Sequence, residues 1–299
     1  MAEQIPVSED ASALDPALDA ARDDHTHELA PDLAYRRLGI VNVVFLGFPG
    51  AGDRNWVLID AGLPRTGGFI RSAAAARFGE GARPAAIVMT HGHFDHVGAL
   101  EALAEEWDVP VYAHPLERPY LDGSAAYPPG DPSVGGGLMA LLAKLYPTKP
   151  VDVGPRLRSL PEDGSVPGMP GWQWIHTPGH SVGHVSLWRE ADRTLIAGDA
   201  FVTTGQESAY EVAVQEPEMH GPPMYFTINW QDAEESVKTL AALDPDLALT
   251  FHGQPLHGPE MRDGLQRLAR DFRDIAVPKQ GKYLKVPRRA EDGSAYEEP

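Results

Sequence analysis

The 299-residue chain contains no cysteine. That one absence excludes disulfides, iron–sulfur clusters, thiolate zinc sites and a cysteine nucleophile. Any metal ion must therefore rest on His, Asp, Glu or backbone oxygen. Long apolar runs are missing too: no stretch of about 18 uninterrupted apolar residues occurs, so no segment reads as a membrane-spanning helix. Basic residues are scarce, 25 Lys and Arg against 43 Asp and Glu, for a formal net charge of −18. Counterion release onto basic side chains supplies much nucleic-acid affinity, so this balance disfavours a nucleic-acid partner. The one local basic cluster, Lys279, Lys282, Lys285, Arg288 and Arg289, is expected to be part of a solvated tail. The first residues, with Glu3, Glu9, Asp10 and Asp15, lack the basic start and apolar core of a signal peptide, and a cytoplasmic location is expected.

The chain divides into three parts. Residues 1–32 are rich in Asp, Glu and Ala, with Arg22 the only basic residue, and read as a mobile or loosely docked arm. His25 and His27 on it read as incidental. Residues 33–275 carry the periodic pattern of one folded domain, and residues 276–299 read as a polar tail. Within the domain, β-rich runs at 40–46 and 56–59 flank the turn Pro49-Gly50-Ala51-Gly52-Asp53 as a hairpin. Helical spacing covers 71–78 and 97–107, with short strands at 85–89 and 109–113. Residues 122–170 are rich in Pro and Gly, with a helix expected over 138–146. Strands follow at 172–175, 184–188 and 194–197. An irregular aromatic and Met-rich stretch over 203–229 precedes a helix to Leu243, a strand at 246–251 and a helix over 259–275. Two successive strand sets with intervening helices suggest stacked sheets covered by helices, not one doubly wound sheet.

Chemistry concentrates in Thr90-His-Gly-His-Phe-Asp-His-Val-Gly98, which places His91, His93, Asp95 and His96 at a strand-to-helix turn. Imidazole and carboxylate suit zinc, iron or manganese. Three later segments each end a strand with a metal-capable residue: His176-Thr-Pro-Gly-His180, Gly198-Asp199 and Phe251-His252-Gly253. Together they offer His91, His93, Asp95, His96, His180, Asp199 and His252. Seven ligands exceed one tetrahedral zinc and suit two ions sharing a bridging carboxylate.

With these motifs in this order over residues 38–260, the chain resembles the metallo-β-lactamase superfamily. The resemblance implies an α/β fold in the layered sense, an αββα sandwich with the metal site at one edge between the sheets. It further implies that His91, His93 and His180 hold one ion, Asp95, His96 and His252 a second, and that Asp199 bridges them. Asp60, in Leu-Ile-Asp-Ala-Gly, matches a family carboxylate that would orient a ligand histidine. The cofactor expected is two Zn²⁺ per chain, with iron or manganese as alternatives. A hydroxide bridging the ions would be the nucleophile, and Asp95 would guide it and pass its proton to the leaving group.

The remaining histidines are weighed separately. His176 and His184 are expected in buried hydrogen-bonded roles, His184 beside the ligands. His114 is divided between supporting the site and lying at the surface, and His257 reads as a surface residue. His220, with Tyr210, Tyr225, Phe226 and Trp230, is a candidate to line the substrate pocket; Tyr127, Met219 and Met224 lie in the same loops. An apolar pocket suits an uncharged ester, lactone or thioester better than a polyanion. Aspartate rather than cysteine at 199 points to the wider hydrolase branch of the family, similar to glyoxalase II, lactonases and organophosphate hydrolases. Val202, where the best-known lactonases carry tyrosine, weakens the lactonase reading. His93, where flavodiiron relatives carry glutamate, favours hydrolysis over electron transfer. The expected function is hydrolysis of an ester-like bond in a small molecule. The alternatives are a mononuclear iron enzyme resembling persulfide dioxygenases, or phosphotriester or β-lactam hydrolysis on the same site. A non-enzymatic binding module would leave the full ligand set without purpose. The partner expected is a small-molecule substrate, with neither nucleic acid nor membrane.

Overall fold

The computed structural model describes residues 5–14, 24–134, 146–205 and 217–297. In chain order its strands are β1 (Ile5–Pro6), β2 (His27–Ala30), β3 (Leu33–Leu38), β4 (Val41–Leu46), β5 (Val57–Ile59), β6 (Ala86–Val88), β7 (Val111–Ala113), β8 (Leu157–Ser159), β9 (Trp172–His176), β10 (Val185–Arg189), β11 (Thr194–Gly198), β12 (Glu218–Met219), β13 (Leu247–Thr250) and β14 (Leu256–His257). The α-helices are α1 (Gly67–Phe78), α2 (Leu100–Trp107), α3 (Arg118–Leu121), α4 (Trp230–Ala242), α5 (Gly258–Arg270), α6 (Phe272–Ile275) and α7 (Lys282–Lys285).

Seven strands form one sheet in sequence order from β2 to β8, antiparallel as far as β5 and parallel from there. A second sheet has the order β14-β13-β11-β10-β9, with β11 and β13 parallel. Strand alternation assigns each side chain to a layer. Val44, Leu46, Ile59 and Val88 face inward and meet Val185, Leu187, Ile196 and Leu249 of the second sheet in one buried core. Their neighbours Phe45, Leu58 and Ile87 face out, under Ile70 and Phe78 of α1 and Leu100, Leu103 and Trp107 of α2. On the other side Trp188, Leu195 and Ala248 lie under Val237 and Leu240 of α4 and Leu265 and Leu268 of α5. The result is the expected αββα sandwich. Both faces of each sheet are covered, which is why β4 and β11 are buried at every position.

The hairpin around Pro49 is present as β4 and β5, with Val44 opposite Ile59. Helix α1 begins four residues before the expected Arg71, because Gly67-Gly68 has poor helix propensity and conceals the start. The expected helix over 138–146 lies outside the described residues up to Tyr146.

Two expectations are corrected. Residues 5–14 and 24–32 do not form a loose arm. Ile5 pairs with Met219, β2 joins the edge of the large sheet on β3, and Ile5 and Ala11 are buried. Backbone pairing to distant strands supplies what local composition lacks. Nor is the tail merely solvated: Tyr283 and Ala295 are buried, Tyr120 donates to Ala295 O at 2.7 Å, and Lys282 Nζ donates to Pro129 O at 2.8 Å. A few apolar residues spaced among charges suffice to anchor it. Among the described residues no helix is long and apolar enough to cross a membrane.

Candidate metal centre

The ligand candidates all follow strand ends at one edge of the sandwich. Interior strand β6 runs into Met89 and Thr90, and residues 91–98 then turn tightly before α2. His96 N–H and Val97 N–H both donate to His93 O, at 2.9 and 3.0 Å. Gly98 completes the turn because a Cβ there would overlap the Leu63–Pro64 backbone. His180 sits between β9 and β10, Asp199 follows β11, and His252 follows β13.

The turn and the three strand ends converge. His91, His93 and His180 form one potential ion-holding group, and Asp95, His96 and His252 another. Nδ1 of His93 lies 2.9 Å from Nε2 of both His91 and His180. Metal–nitrogen bonds of about 2.0–2.1 Å separate tetrahedral ligand atoms by roughly 3.3 Å, so this spacing is nearly that of a filled site. Asp199 stands between the groups: its Oδ2 is 3.5 Å from Nε2 of His96 and of His180, and 3.2 Å from Nε2 of His252.

The outward faces of the rings show which nitrogen carries a proton. Asp60 only accepts, so His96 Nδ1 donates to its Oδ2 at 2.7 Å. The Thr90 hydroxyl gives its own proton to Asp60 Oδ2 at 2.6 Å, so its oxygen accepts from His91 Nδ1 at 3.1 Å. His252 Nδ1 donates to Ile40 O at 2.8 Å. Thr227 Oγ1 donates to Pro223 O at 2.8 Å and accepts from His180 Nδ1 at 3.4 Å. Four Nε2 lone pairs therefore face one another in a buried space. His96 Nε2 and Asp199 Oδ1 have no hydrogen-bond partner there. Lone pairs and orphaned acceptors converging without donors are what metal ions satisfy, and the donor set fits a metal centre.

Electrostatics agree. Burial, with neighbouring ring charges, holds His91 and His93 well below the usual histidine range, and burial pushes His180 to about 3. These rings are neutral and ready to ligate. Burial opposes charge on His96 and His252 also, but Asp199 and Asp95 outweigh it and raise both. Burial likewise opposes ionisation of Asp199, and His252 and His96 overcome it, leaving the carboxyl well below its usual range. The space between them demands positive charge, whether supplied by protons or by metal ions.

Asp60 is close enough to His91 and His96 to count as a third potential group. We assign it a different role, since Thr90 N–H (2.7 Å), the Thr90 hydroxyl and His96 Nδ1 occupy its oxygens. It holds the His96 ring directly and backs the His91 ring through the Thr90 hydroxyl. His184 acts on the backbone: its Nε2 accepts from Asp199 N–H at 2.9 Å, and its Nδ1 donates to Thr177 O at 3.1 Å. Gly198 is required beside it, with φ +61° and no room for a Cβ against that ring. His176 donates to Val182 O at 2.9 Å and stacks on His114 at 4.2 Å, away from the ligands.

Among the pocket candidates, Phe226 lies 4.8 Å from the His93 ring and Tyr225 5.1 Å from Phe226. Trp230 is corrected: it starts α4 in the core beneath α5, against Phe272. An apolar ring at a helix start was pulled into packing. His220 is buried and its backbone pairs with Val202. Tyr210 lies outside the described residues. Sequence reasoning missed Thr90, Thr227, Phe94, Tyr146 and Glu117. Phe94 stacks on Tyr146 at 5.3 Å and Tyr146 meets Phe226 at 5.8 Å, completing an aromatic wall. Phe94 stood inside the motif and could have been read; the others meet the site only through tertiary contacts.

Comparison with known proteins gives the same picture. A family model described as the metallo-beta-lactamase superfamily matches residues 36–252. A Bacillus subtilis protein named "Probable metallo-hydrolase YflN" is 48% identical over 236 residues, covering 79% of this chain and 89% of that protein. A second B. subtilis protein, "Probable metallo-hydrolase YybB", is 28% identical over 200 residues, covering 67% and 76%. In fold, the chain is similar to a β-lactamase domain protein from Burkholderia ambifaria, with TM-score 0.59 and 22% identity over 84% of this chain and 77% of that one. With its ligand pattern, its layered sheets and a match across most of its length, the chain belongs to the metallo-β-lactamase superfamily.

Proposed function

We propose that the protein is a metal-dependent hydrolase that cleaves an ester-like bond, in an ester, lactone or thioester, of a small molecule with an apolar portion. One observation carries the two-ion reading: a single oxygen, Asp199 Oδ2, reaches ring nitrogens of both ligand groups within 3.5 Å. The thiolate-free donor set suits zinc, with iron or manganese as alternatives. When bound, such ions lower the pKa of water and polarise an attacked carbonyl.

The protein's own residues do the rest. Asp199 and the two ligand groups fix where the reacting atoms sit. Asp95 has one oxygen 3.5 Å from His252 Nε2, while the other lies 3.9 Å from His96 Nε2. It is placed to take the proton of the attacking water and deliver it to the leaving oxygen or sulfur as the acyl bond breaks. Phe94, Tyr146, Tyr225 and Phe226 form the apolar wall beside His93 and receive the uncharged part of the substrate. The names of the two B. subtilis relatives specify no substrate; the ester-like class rests on this wall.

The test is a screen of aryl esters, lactones, thioesters, phosphotriesters and β-lactams with zinc-, manganese- and iron-loaded protein, together with elemental analysis. Two ions per chain and hydrolysis of an acyl substrate are expected. Near-zero metal after reconstitution would sink the two-ion reading. Activity only with iron, oxygen and a thiol substrate would replace hydrolysis with dioxygenation.

A further inference from the structure

Glu117 is fully buried, carries a potential negative charge, and is no member of either ligand group. It follows β7 in the turn Pro115-Leu-Glu117, and both of its oxygens are occupied. Oε2 accepts from Gly92 N–H at 3.0 Å and from the Tyr127 hydroxyl; Oε1 accepts from Ser181 Oγ at 2.7 Å and Gly183 N–H at 2.8 Å. These donors are not scattered. Gly92 separates His91 from His93, and Ser181 follows His180. The first loop comes from the large sheet and the second from the small one. One carboxylate therefore ties together the two backbone segments whose three imidazoles must meet.

The glycines show that the space is built for this contact. A Cβ on Gly92 would press on the Tyr127 hydroxyl, and one on Gly183 on Glu117 itself. Tyr127 extends the link, its hydroxyl accepting from Gly92 N–H at 2.7 Å while its ring lies 4.5 Å from that of His93. Charge gives a second argument. The three imidazoles are neutral ligands, whereas the other group contains the carboxylate of Asp95. A divalent ion among three neutral rings gains from a fixed anion behind them, and Glu117 supplies it.

We propose that Glu117 is a positioning residue that sets the ion affinity of the His91–His93–His180 group and leaves the Asp95–His96–His252 group nearly unchanged. This rests on the metal-binding reading of the site. The test is Zn²⁺ competition against a chromogenic chelator in two backgrounds: His252→Ala, where the remaining ion reports the three-histidine group, and His180→Ala, where it reports the other. Glu117→Gln keeps the size but turns a donor toward existing donors. It should weaken binding about 10- to 100-fold in the first background, with little change in the second. Equal losses in both, or none in the first, would overturn the proposal. If Glu117→Gln does not fold, Tyr127→Phe and Ser181→Ala each remove one donor. Each should weaken the first background alone by about fivefold, and no change from either would equally overturn it. If neither single-group background nor the parent protein binds zinc, the metal reading itself fails, an outcome distinct from an intact site indifferent to Glu117.

Discussion

Asp199→Asn tests the two-ion arrangement most directly, because one oxygen of its carboxylate stands between both ligand groups. Oδ2 lies 3.2 Å from the His252 nitrogen and 3.5 Å from those of His96 and His180, so an ion in either group has this oxygen beside it. The substitution keeps the shape and removes one negative charge. At an effective dielectric near 20, two unit charges about 4 Å apart interact by about 4 kcal/mol. The asparagine oxygen remains as a neutral ligand, so the loss per ion is about 2–4 kcal/mol, roughly 30- to 1,000-fold in affinity. Zinc competition in the His252→Ala and His180→Ala backgrounds reads each group separately, with elemental analysis after dialysis as a second measure. A fall confined to one group would show that Asp199 serves one ion. Unchanged affinity in both would refute its role as a ligand. By contrast, Asp95→Asn should weaken only the group it shares with His96 and His252.

Three other perturbations separate positioning from packing. Gly198→Ala forces a side chain into a left-handed residue, φ +61°, and against the His184 ring. It should cost about 2–4 kcal/mol in urea unfolding and reduce bound metal; a neutral result would refute the need for close approach there. Phe226→Ala removes the member of the aromatic wall that meets the His93 ring, so KM for an aryl ester should rise about tenfold with metal content unchanged. If kcat fell instead and KM held, Phe226 would not be a substrate contact. His114, pushed down to about 4 by burial and then by the His176 charge, binds its proton more readily in the unfolded chain. Its stabilising contribution is present above the ordinary histidine pKa near 6.5 and is lost as pH falls from there to about 4. His114→Asn keeps an acceptor for Leu116 N–H but cannot titrate, so its urea midpoint should fall less steeply over that window. Parallel curves for the two proteins would refute the assignment.

The layers were legible because burial is periodic. In β4, Val44 and Leu46 alternate with Val43 and Phe45, and the two sets enter different cores. The clustering of the candidate residues was legible because their chemistry is carried in short motifs at strand ends, where no packing demand explains three histidines and an aspartate within six residues. Segments whose order depends on distant backbone were not legible. β2 looks like solvated chain until β3 offers it an edge, and Tyr283 and Ala295 look like tail residues until Pro129 and Tyr120 receive them. Trp230 shows the reverse error, since an aromatic in a loop-rich stretch reads equally well as pocket or core.

The two buried carboxylates behind the ligands mark the boundary most clearly. Asp60 ends β5, pairs with the turn after the neighbouring strand β6, and sits at φ +56°, which turns its oxygens toward Thr90 and His96. A carboxylate at the end of a strand that runs parallel to the strand carrying the motif is readable as a partner of that motif. Glu117 has no such mark. It follows a strand as many solvated glutamates do, and only the meeting of the two sheets brings Gly92 and Gly183 to its oxygens. Yet the physical demand is the same in both cases. A buried carboxylate is costly unless its oxygens find donors, and a ligand loop is imprecise unless its backbone is held. Each carboxylate meets the other's condition locally: the loop supplies donors, and the charge fixes the loop. That reciprocity is local to each carboxylate, whereas Asp199 Oδ2 lies within 3.5 Å of ring nitrogens from both groups.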